Sequence, residues 1–445
     1  MNILKLILLI LFISLVIFTL MYEKISSQSQ KKKTKILDNF DKPWSFSFID
    51  DDNIILSERT GKIIYCNLEE KTKNSIKHNL KYFVNKQGGL LDILFYNDFV
   101  YISYAEDRGN NLSNTSVAKA KFNTEKLEFT NIFEAKDQYD TEFHYGSRII
   151  IVDNYLYLTV GDRHNPDKAI DEEHHIGKII KINLKDDTYS IFVKGVRNPQ
   201  GLTYDSQTNN IFISNHGAKG GDFITKIEEG HNYGWNEVAW GGKNYVNTSI
   251  GPTWKKGFTK PSKYWVPSIA TSSIVYYDSD KYPNYKNKII LGTLKEQDIR
   301  VIDISEDDTE IITVKVNNNN KYFFENLDKE IGFKIGKKYI FDIFDDSNKG
   351  RPLEIYFNGK KLDLEQEKGD NHSHFIFNPT TKGTINFKCE YHQGMGDNYI
   401  DIPVQGKFNN EEIIIKVNER VRDIKINSEG DIYFITDAGN LYKLK

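Results

Sequence analysis

Short apolar segments separated by polar turns recur along most of this chain. In each copy an apolar strand leads into a polar turn, and a second strand then ends abruptly in charged or small residues. Runs of this length, bounded by turn residues, are typical of β-strands rather than helices. The copies lie at residues 46–58, 90–106, 148–162, 202–216, 273–295 and 422–437. Most copies are followed by a further pair of strands, so the pattern predicts repeated units of about four strands.

The spacing of the copies favours an all-β fold, a six-bladed β-propeller, over a single sandwich. Outside one large gap, the copies begin about forty to seventy residues apart, as propeller blades do. In a propeller the ends of the inner strands gather around the central axis, and we expect chemistry there. An ordinary turn explains any one of these strand ends, but their joint recurrence favours a shared site.

The large gap, residues 316–407, predicts a separate module. It contains further short apolar strands and ends in the run Cys389-Glu-Tyr-His392-Gln-Gly-Met395. We therefore expect a propeller made of residues 42–315 and 408–445, with a β-rich domain inserted before its last blade.

The N-terminus predicts a membrane anchor. Residues 6–21 carry no charge, and no small-x-small cleavage site follows them. We interpret residues 1–22 as an uncleaved signal anchor and residues 23–41 as a polar tether. The lysines at 31–33 favour a cytoplasmic C-terminal part by the positive-inside rule. The family resemblance given below leads us to expect the opposite, with the propeller on the periplasmic or extracellular side.

Composition excludes some functions and leaves the fold prediction unchanged. The chain has 445 residues, enough for a large β-fold and a smaller domain, and its 27 Phe and 26 Tyr favour strands. The net charge of −3 provides no basic surface for nucleic acid. Two cysteines, Cys66 and Cys389, are too few for a disulfide framework.

The strand-end motifs resemble one known family. In chain order they are PWSFSF (43–48), SERTG (57–61), QGGLLDI (87–93), FHYGSRI (143–149), TVGDR (159–163), HIGKIIKIN (175–183), VRNPQGLTYD (196–205), HGAKGGD (216–222), HNYGWNEV (231–238), YWVPSIATSS (264–273), GTLK (292–295) and RVRDI (420–424). In this order they are similar to the glucose/sorbosone dehydrogenases, soluble quinone-dependent enzymes that include the aldose sugar dehydrogenases. The resemblance covers residues 43 to about 304 and the C-terminal repeat.

The resemblance implies oxidation of a sugar at its anomeric carbon, with a hydride passed to pyrroloquinoline quinone (PQQ). His144 matches the position of the catalytic base, and Asp162 would orient its ring and stabilise its protonated form. The alternative is a histidine on a turn with one backbone hydrogen bond.

PQQ is a planar tricarboxylate, so its pocket should contain cations and amide donors. Arg420 and Arg422 match positions in that pocket, and their alternation along a strand predicts that they point to opposite faces. The other positions that the resemblance assigns to the cofactor are Gln87, Arg197, Asn198, Trp265 and Lys295. Trp265 would cover one face of the ring system.

The resemblance also implies a calcium ion against the quinone, with Asp222 and the backbone carbonyl of Tyr233 as ligands. Phe223 and Asn215 stand where the family has acidic residues. Calcium requires oxygen ligands, and a phenylalanine offers none. This departure predicts weaker cofactor binding, or an ion held in another way.

The inserted domain resembles cupredoxins. Cys389, His392 and Met395 match the C-x-x-H-x-x-M loop that binds copper in those proteins. The second histidine position is occupied by Arg351, which cannot bind a metal, and His372 or His374 would have to replace it. A copper site, serving as electron acceptor, and a metal-free domain are both compatible with these residues.

Three functions stay open from the sequence. The first is a membrane-anchored, PQQ-dependent dehydrogenase acting on a small-molecule sugar, which His144 and the cationic positions favour. The second is a degenerate propeller that binds carbohydrate or a protein partner, which Phe223, Asn215 and Arg351 favour. The third, a calcium-dependent lactonase or hydrolase, would not require the cations.

Overall fold

The computed structural model describes residues 32–364, 366–369 and 372–445. This part of the chain is built from β-strands and three short 3-10 helices, at Pro166–Lys168, Pro283–Tyr285 and Asp346–Asn348. The predicted anchor, residues 1–22, lies outside the described residues. Within them, no helix combines the length and the apolar character that crossing a membrane requires.

The strands of the propeller are numbered along the chain. The first are β1 (Lys33–Leu37), β2 (Pro43–Phe48), β3 (Asn53–Glu58), β4 (Lys62–Asn67), β5 (Thr72–His78), β6 (Leu90–Tyr96), β7 (Phe99–Asp107), β8 (Ser113–Lys121), β9 (Lys126–Leu127), β10 (Thr130–Glu134), β11 (Gly146–Val152), β12 (Tyr155–Val160), β13 (Lys178–Asn183) and β14 (Tyr189–Lys194). They continue with β15 (Asn198–Asp205), β16 (Asn210–His216), β17 (Asp222–Ile227), β18 (Lys263–Trp265), β19 (Thr271–Tyr277), β20 (Lys288–Thr293) and β21 (Asp298–Ile302).

The inserted strands come next, and the chain then returns to the propeller. The insert contains β22 (Thr309–Val316), β23 (Tyr322–Glu325), β24 (Phe333–Ile335), β25 (Lys338–Asp342), β26 (Leu353–Phe357), β27 (Lys360–Lys361), β28 (Gln366–Gly369), β29 (His372–Phe377), β30 (Gly383–Cys389) and β31 (Ile402–Lys407). The propeller ends with β32 (Glu411–Lys416), β33 (Val421–Ile426), β34 (Ile432–Thr436) and β35 (Leu441–Leu444).

Six sheets in the described chain form the blades, and their strands pair antiparallel except for the parallel pair of β5 with β9. Blade one has the order β2-β3-β4-β5 with β9 at its edge, blade two β6-β7-β8-β10, blade three β11-β12-β13-β14, blade four β15-β16-β17-β18, blade five β19-β20-β21-β32 and blade six β33-β34-β35-β1. The first strand of each blade contacts the first strand of the next, and β33 contacts β2. This closed ring confirms the predicted all-β fold and is the arrangement of a propeller.

Apolar side chains between neighbouring blades hold the ring together. Buried Ile55, Ile93 and Ile102 pack together between blades one and two, and Ile435, Leu441 and Ile54 do so between blades six and one. Each blade thus buries both faces against its neighbours, which explains why the inner strands are apolar on both faces near their centres.

The N-terminal strand closes the ring. β1 pairs antiparallel with β35, with Lys33 opposite Leu444. Residues 33–37, predicted as part of the polar tether, are therefore a strand of blade six. The sequence KTKIL is too polar to be recognised as a strand on its own, but Leu37 is buried in the finished blade.

The insert is a sandwich of two sheets, with the orders β23-β22-β25-β29-β28 and β24-β31-β30-β26-β27 among the described residues. It begins with β22 at Thr309, before the predicted boundary at 316. The strand that follows it, β32, pairs with β21 and completes blade five. The insert consequently divides blade five at its outer edge instead of separating two blades. The cupredoxin-like interpretation of this domain stays a prediction.

The insert is docked on the outer part of blade four. Glu367 accepts hydrogen bonds from the backbone N–H and the hydroxyl of Thr253, at 2.6 and 2.8 Å. Lys338 donates to the carbonyl of Tyr264 at 2.7 Å, and buried Ile340 packs in the same apolar cluster as Trp254. These contacts combine buried apolar area with satisfied polar groups, so they fix the insert on the propeller.

Candidate functional site

A cavity of about 400 Å³ opens on the propeller axis. Its lining comes from all six blades, because it includes residues at the axial ends of the inner strands. Trp44 is contributed by blade one, Gly146 by blade three and Arg422 by blade six. The strand ends therefore converge as the sequence pattern predicts, and the site is assembled from segments that are far apart in the chain.

His144 and Asp162 form a hydrogen-bonded pair next to this cavity. Phe143 and Tyr145, on either side of His144, line the cavity, and His144 itself is 6% exposed. Its Nδ1–H donates to Oδ1 of Asp162 at 2.7 Å. Trp235 donates from Nε1 to the other carboxylate oxygen, also at 2.7 Å. Since Nδ1 is occupied by the carboxylate, Nε2 is the ring nitrogen that can accept a proton.

The backbone around this pair is held in an unfavourable conformation. His144, Arg163 and His164 have φ values of +56°, +48° and +55°. Side chains other than glycine rarely adopt such values, and the cost is of order 1–3 kcal/mol for each residue. The surrounding structure stabilises the bend: Gln87 accepts a hydrogen bond from the His144 N–H at 2.8 Å. Strain of this kind clusters at functional sites, which supports a function for the pair.

Burial determines the protonation state of the base. Removal from water lowers the pKa of His144 to about 4, although the hydrogen bond to Asp162 acts in the opposite direction. The pKa of Asp162 is also lowered, since hydrogen bonds and the charge of Arg197 outweigh the effect of its burial. At neutral pH the pair is thus a neutral imidazole beside a carboxylate, the arrangement that a general base requires.

Arginines converge at another part of the cavity. Arg422 donates to both oxygens of Asp437, at 2.8 and 2.9 Å, and Arg420 donates to Oδ2 at 2.8 Å. Burial alone would raise the pKa of Asp437, but these arginines outweigh it and lower the pKa to about 2. Both arginines line the cavity, so the predicted division between two faces is corrected. The shared carboxylate draws the two side chains together.

Further predicted residues lie at the site. Gln87 and Asn198 line the cavity, and the amide oxygen of Asn198 accepts from the Gly146 N–H at 3.1 Å. Arg197 stands behind the His144–Asp162 pair: it donates to the carbonyl of Gly217 at 2.7 Å and its own carbonyl accepts from the Asp162 N–H.

Two predicted residues lie elsewhere. Trp265 is on β18, the outermost strand of blade four, and donates to Glu411 at 3.0 Å in a second cavity beside the insert. It cannot cover a ligand on the axis. Lys295 is exposed and its ammonium donates to the carbonyl of Ser268 at 2.8 Å, although its neighbour Leu294 reaches the axial cavity. A residue at a strand end can face the axial cavity or lie outside it, and the sequence alone does not distinguish the two positions.

Other cavity residues were missed in the sequence. They are Trp44, Arg59, Lys86, Gln200, His216 and Asp437. Each of them lies inside or beside a motif that was recognised, such as RNPQG or HGAKGGD. Some of them could have been found from strand pairing, because they lie opposite a residue that was predicted for the site. His216, for example, pairs with Asn198 between the first two strands of blade four.

Comparison with known proteins agrees with this geometry. The model of the glucose/sorbosone dehydrogenase family matches residues 40–323, more than half of the chain. The chain belongs to the glucose/sorbosone dehydrogenase family. It is 27% identical to the aldose sugar dehydrogenase YliI of Escherichia coli over 297 residues, which cover 61% of this chain and 80% of that protein. Membership places the chain among the sugar dehydrogenases.

Solved structures support the fold. The crystal structure of the soluble aldose sugar dehydrogenase from Escherichia coli in its apo-form gives a TM-score of 0.64 at 20% identity, with 93% of this chain and 99% of that chain covered. The PQQ-bound aldose sugar dehydrogenase from Streptomyces coelicolor gives 0.50 at 16% identity, with 81% of this chain and all of that chain covered. At these identities the likeness concerns the fold alone.

The residues expected to hold calcium in this member of the glucose/sorbosone dehydrogenase family do not fit the ion. Asp222 is fully buried, and its carboxylate accepts from the Gly217 N–H, the Ser268 hydroxyl and the Ala270 N–H at 2.6–2.8 Å. Phe223 stacks on the ring of Tyr233, with centroids 5.2 Å apart. The oxygens of Asp222 are thus committed to a turn, and an aromatic pair stands beside them.

Among the side chains that the structure describes, the copper ligands predicted in the insert are incomplete. Cys389 Sγ lies 3.4 Å from Nδ1 of His392, and Met395 is buried in the same cluster. Arg351 points its guanidinium to Asn320 and the carbonyl of Ser347. His374 lies on the other sheet and bonds to Glu367, so it does not complete the set. The side chain of His372 is outside the described residues. His392 is the one imidazole that the described side chains place beside Cys389, and a blue-copper centre needs two.

The pKa of His144 predicts the acid limb of the activity. A general base accepts a proton only when it is neutral. With His144 in that role, we expect kcat/KM for an aldose to be constant from about pH 6 to pH 8 and to fall as the pH drops through about 4. Asp162 raises the pKa of His144, so Asp162→Asn should lower the pH at which kcat/KM falls, in addition to slowing the reaction. Stopped-flow reduction of a dye across pH measures both. A wild-type limb near 6.5 would mean that His144 titrates like an exposed histidine.

Proposed function

We propose that this protein is a PQQ-dependent aldose dehydrogenase that oxidises the anomeric carbon of a sugar, with His144 as general base. The observation that carries the proposal is the buried His144–Asp162 hydrogen bond of 2.7 Å beside a cationic cavity on the propeller axis. The family match supports sugar oxidation in general, and the cavity chemistry supports the choice of cofactor.

The cavity fits a planar tricarboxylate. Within the described chain, four cationic side chains line it and one carboxylate opposes them; they are Arg59, Lys86, Arg420, Arg422 and Asp437. His216 also faces the cavity, and its buried Nε2 has no hydrogen-bond partner among the described residues. Arginine binds carboxylates with two parallel hydrogen bonds, and Trp44 provides an aromatic surface. An anion with several carboxylates would therefore satisfy both the excess charge and the unpartnered nitrogen.

His144 performs the proton transfer. Its Nε2 takes the proton from the anomeric hydroxyl of the sugar, and the C1–O bond becomes a carbonyl as the C1–H bond breaks. PQQ, when bound, supplies the acceptor for the two electrons and the hydrogen that leave C1, and the sugar becomes a lactone. Asp162 stabilises the imidazolium that forms, and Trp235 holds Asp162 in place through its indole N–H.

The site restricts access of water to the base. His144 is 6% exposed and Asp162 1%, so the developing charge is stabilised by fixed groups instead of mobile solvent. After each turnover the proton must leave His144. The ring of His164, exposed and 4.3 Å from the His144 ring, lies on the solvent side of the base.

A membrane tether completes the proposal. Residues 6–21 form an uncharged apolar run ahead of β1. We propose that this run anchors the protein, with the propeller on the periplasmic or extracellular side. Protease accessibility of the propeller in intact cells tests the orientation, and protection of the propeller would reverse it.

Titration of the full-length protein with PQQ tests the proposed function. We expect stoichiometric binding followed by sugar-dependent dye reduction, and the same affinity in the presence of calcium or a chelator, because Asp222 is already satisfied. Absence of PQQ binding under both conditions would contradict the proposal. It would favour a propeller that retains the fold and binds carbohydrate or a protein partner without redox chemistry.

A further inference from the structure

A buried ionic cluster joins four blades beside the cavity. Arg148 on β11 is 2% exposed, and its Nη1 lies 3.1 Å from Oδ1 of Asp92 on β6 and 2.9 Å from Oδ1 of Asp423 on β33. Ser45 on β2 places its hydroxyl 2.5 Å from Asp92 and 2.8 Å from Asp423. All four side chains are almost fully removed from water. A charge at such depth is tolerated because the guanidinium faces two carboxylates, of which Asp92 accepts a hydrogen bond and Asp423 forms an ion pair.

The rest of the Arg148 side chain contacts the cavity lining. Its Nε donates to the carbonyl of Gln200 at 2.8 Å, and its Nη2 donates to the carbonyl of Arg422 at 2.8 Å. The guanidinium lies 4.2 Å from the centre of a Trp44 ring. Gln200, Arg422 and Trp44 belong to blades four, six and one, and all three line the cavity. One side chain thus fixes three walls of the site relative to one another.

We propose that Arg148 is a positioning residue that sets the cofactor affinity of the cavity without touching the cofactor. The inference rests on the proposed function, since it concerns how the chain holds PQQ. Arg422 is a candidate partner for a PQQ carboxylate, and its backbone is held by Arg148. A shift of this backbone would move the guanidinium of Arg422 out of line with its ligand, because paired hydrogen bonds require a fixed geometry.

Arginine is the residue that this place requires. Its planar group has five N–H donors in a rigid fork. Nη1 faces Asp92 and Asp423, while Nε and Nη2 donate to the carbonyls of Gln200 and Arg422. A lysine keeps the positive charge but concentrates its donors at one point. It can therefore satisfy the carboxylates of Asp92 and Asp423 while leaving the two carbonyls without a donor.

The decisive comparison is Arg148→Lys with Ser45→Ala. Both change the same buried cluster, but Ser45 has no contact with Gln200 or Arg422 through its side chain. Thermal unfolding without cofactor measures stability, and fluorescence titration with PQQ measures affinity. We expect both variants to lower Tm. Arg148→Lys should raise the Kd for PQQ by about 10- to 100-fold, and Ser45→Ala by less than about threefold.

The outcomes separate the possibilities. Equal losses of affinity in the two variants, in proportion to Tm, would show a purely structural cluster and overturn the inference. So would an unchanged Kd in Arg148→Lys while the wild type binds PQQ. Failure of the wild type to bind PQQ overturns the proposed function, and the inference with it. If Arg148→Lys does not fold, the double variant Arg148→Gln, Asp423→Asn removes one charge of each sign, and the same rise in Kd is expected.

Discussion

Replacing His144 with glutamine lowers kcat for aldose oxidation by about 10²- to 10⁴-fold, the usual contribution of a positioned general base. Glutamine preserves a hydrogen-bonding group of similar size next to Asp162 but cannot take the proton of the sugar hydroxyl. Because His144 is not among the cationic residues of the cavity, the Kd for PQQ should change by less than about threefold. Steady-state dye reduction and a PQQ titration measure the two quantities on the same preparation.

The matched control is His164→Gln. This second imidazole packs edge-to-face on the first, with centroids 4.3 Å apart, and stacks on Phe143 at 4.9 Å. Its backbone N–H, which a side-chain substitution retains, is the group that bonds to Asp162. We expect kcat to fall by less than about tenfold. If His144→Gln keeps more than a tenth of the wild-type kcat, or if His164→Gln has the larger effect, His144 is not the base.

Replacing Arg422 with alanine weakens PQQ binding by about 10- to 100-fold, the effect of removing a charge-assisted hydrogen-bond donor from a partly buried site. The Arg422 guanidinium lies in the cavity lining and is aligned by two hydrogen bonds to Asp437. Its loss removes one cation and leaves Asp437, a negative charge, less compensated. Isothermal titration with PQQ measures the change, and raising the salt concentration should reduce the difference between variant and wild type.

Arg300→Ala is the control for this experiment. Arg300 has a comparable pairing, with Asp298 and Glu411, but it lies in blade five at the second cavity beside the insert. Its removal should lower Tm and change the Kd for PQQ by less than about threefold. Equal losses of affinity in the two variants would mean that the arginine effect is a general loss of stability and that the axial cavity is not the cofactor site.

The departures at Phe223 and Asn215 have a structural explanation. Phe223 is 3% exposed and stacks on Tyr233, so it contributes to the core of blade four. The amide oxygen of Asn215 accepts from the N–H groups of Arg197 and Asn198, at 3.1 and 3.0 Å, and thereby shapes the strand entry beside the catalytic pair. The chain thus has hydrogen bonds and packing at the place where the sequence predicts calcium ligands.

The sequence alone determined the repeat, the fold class and the two central residues of the site. Apolar strand pairs recur at a spacing that suits blades, and this local pattern follows from the requirement that inner strands bury both faces. His144 and Asp162 stand at the ends of neighbouring strands of one blade, β11 and β12. The resemblance of their motifs to the family was enough to predict the pair, and the structure places the two side chains 2.7 Å apart.

Only the tertiary structure decided which strand ends face the axis and which groups meet there. Trp265 lies on the outermost strand of blade four and lines the second cavity, and the ammonium of Lys295 bonds to the carbonyl of Ser268. Arg148, Asp92 and Asp423 are far apart in sequence and meet only when three blades close around the axis. Long-range contacts of this kind produce no periodic pattern in the sequence. The blades could therefore be predicted from the sequence, but the residues that meet at the axis are known only from the closed ring.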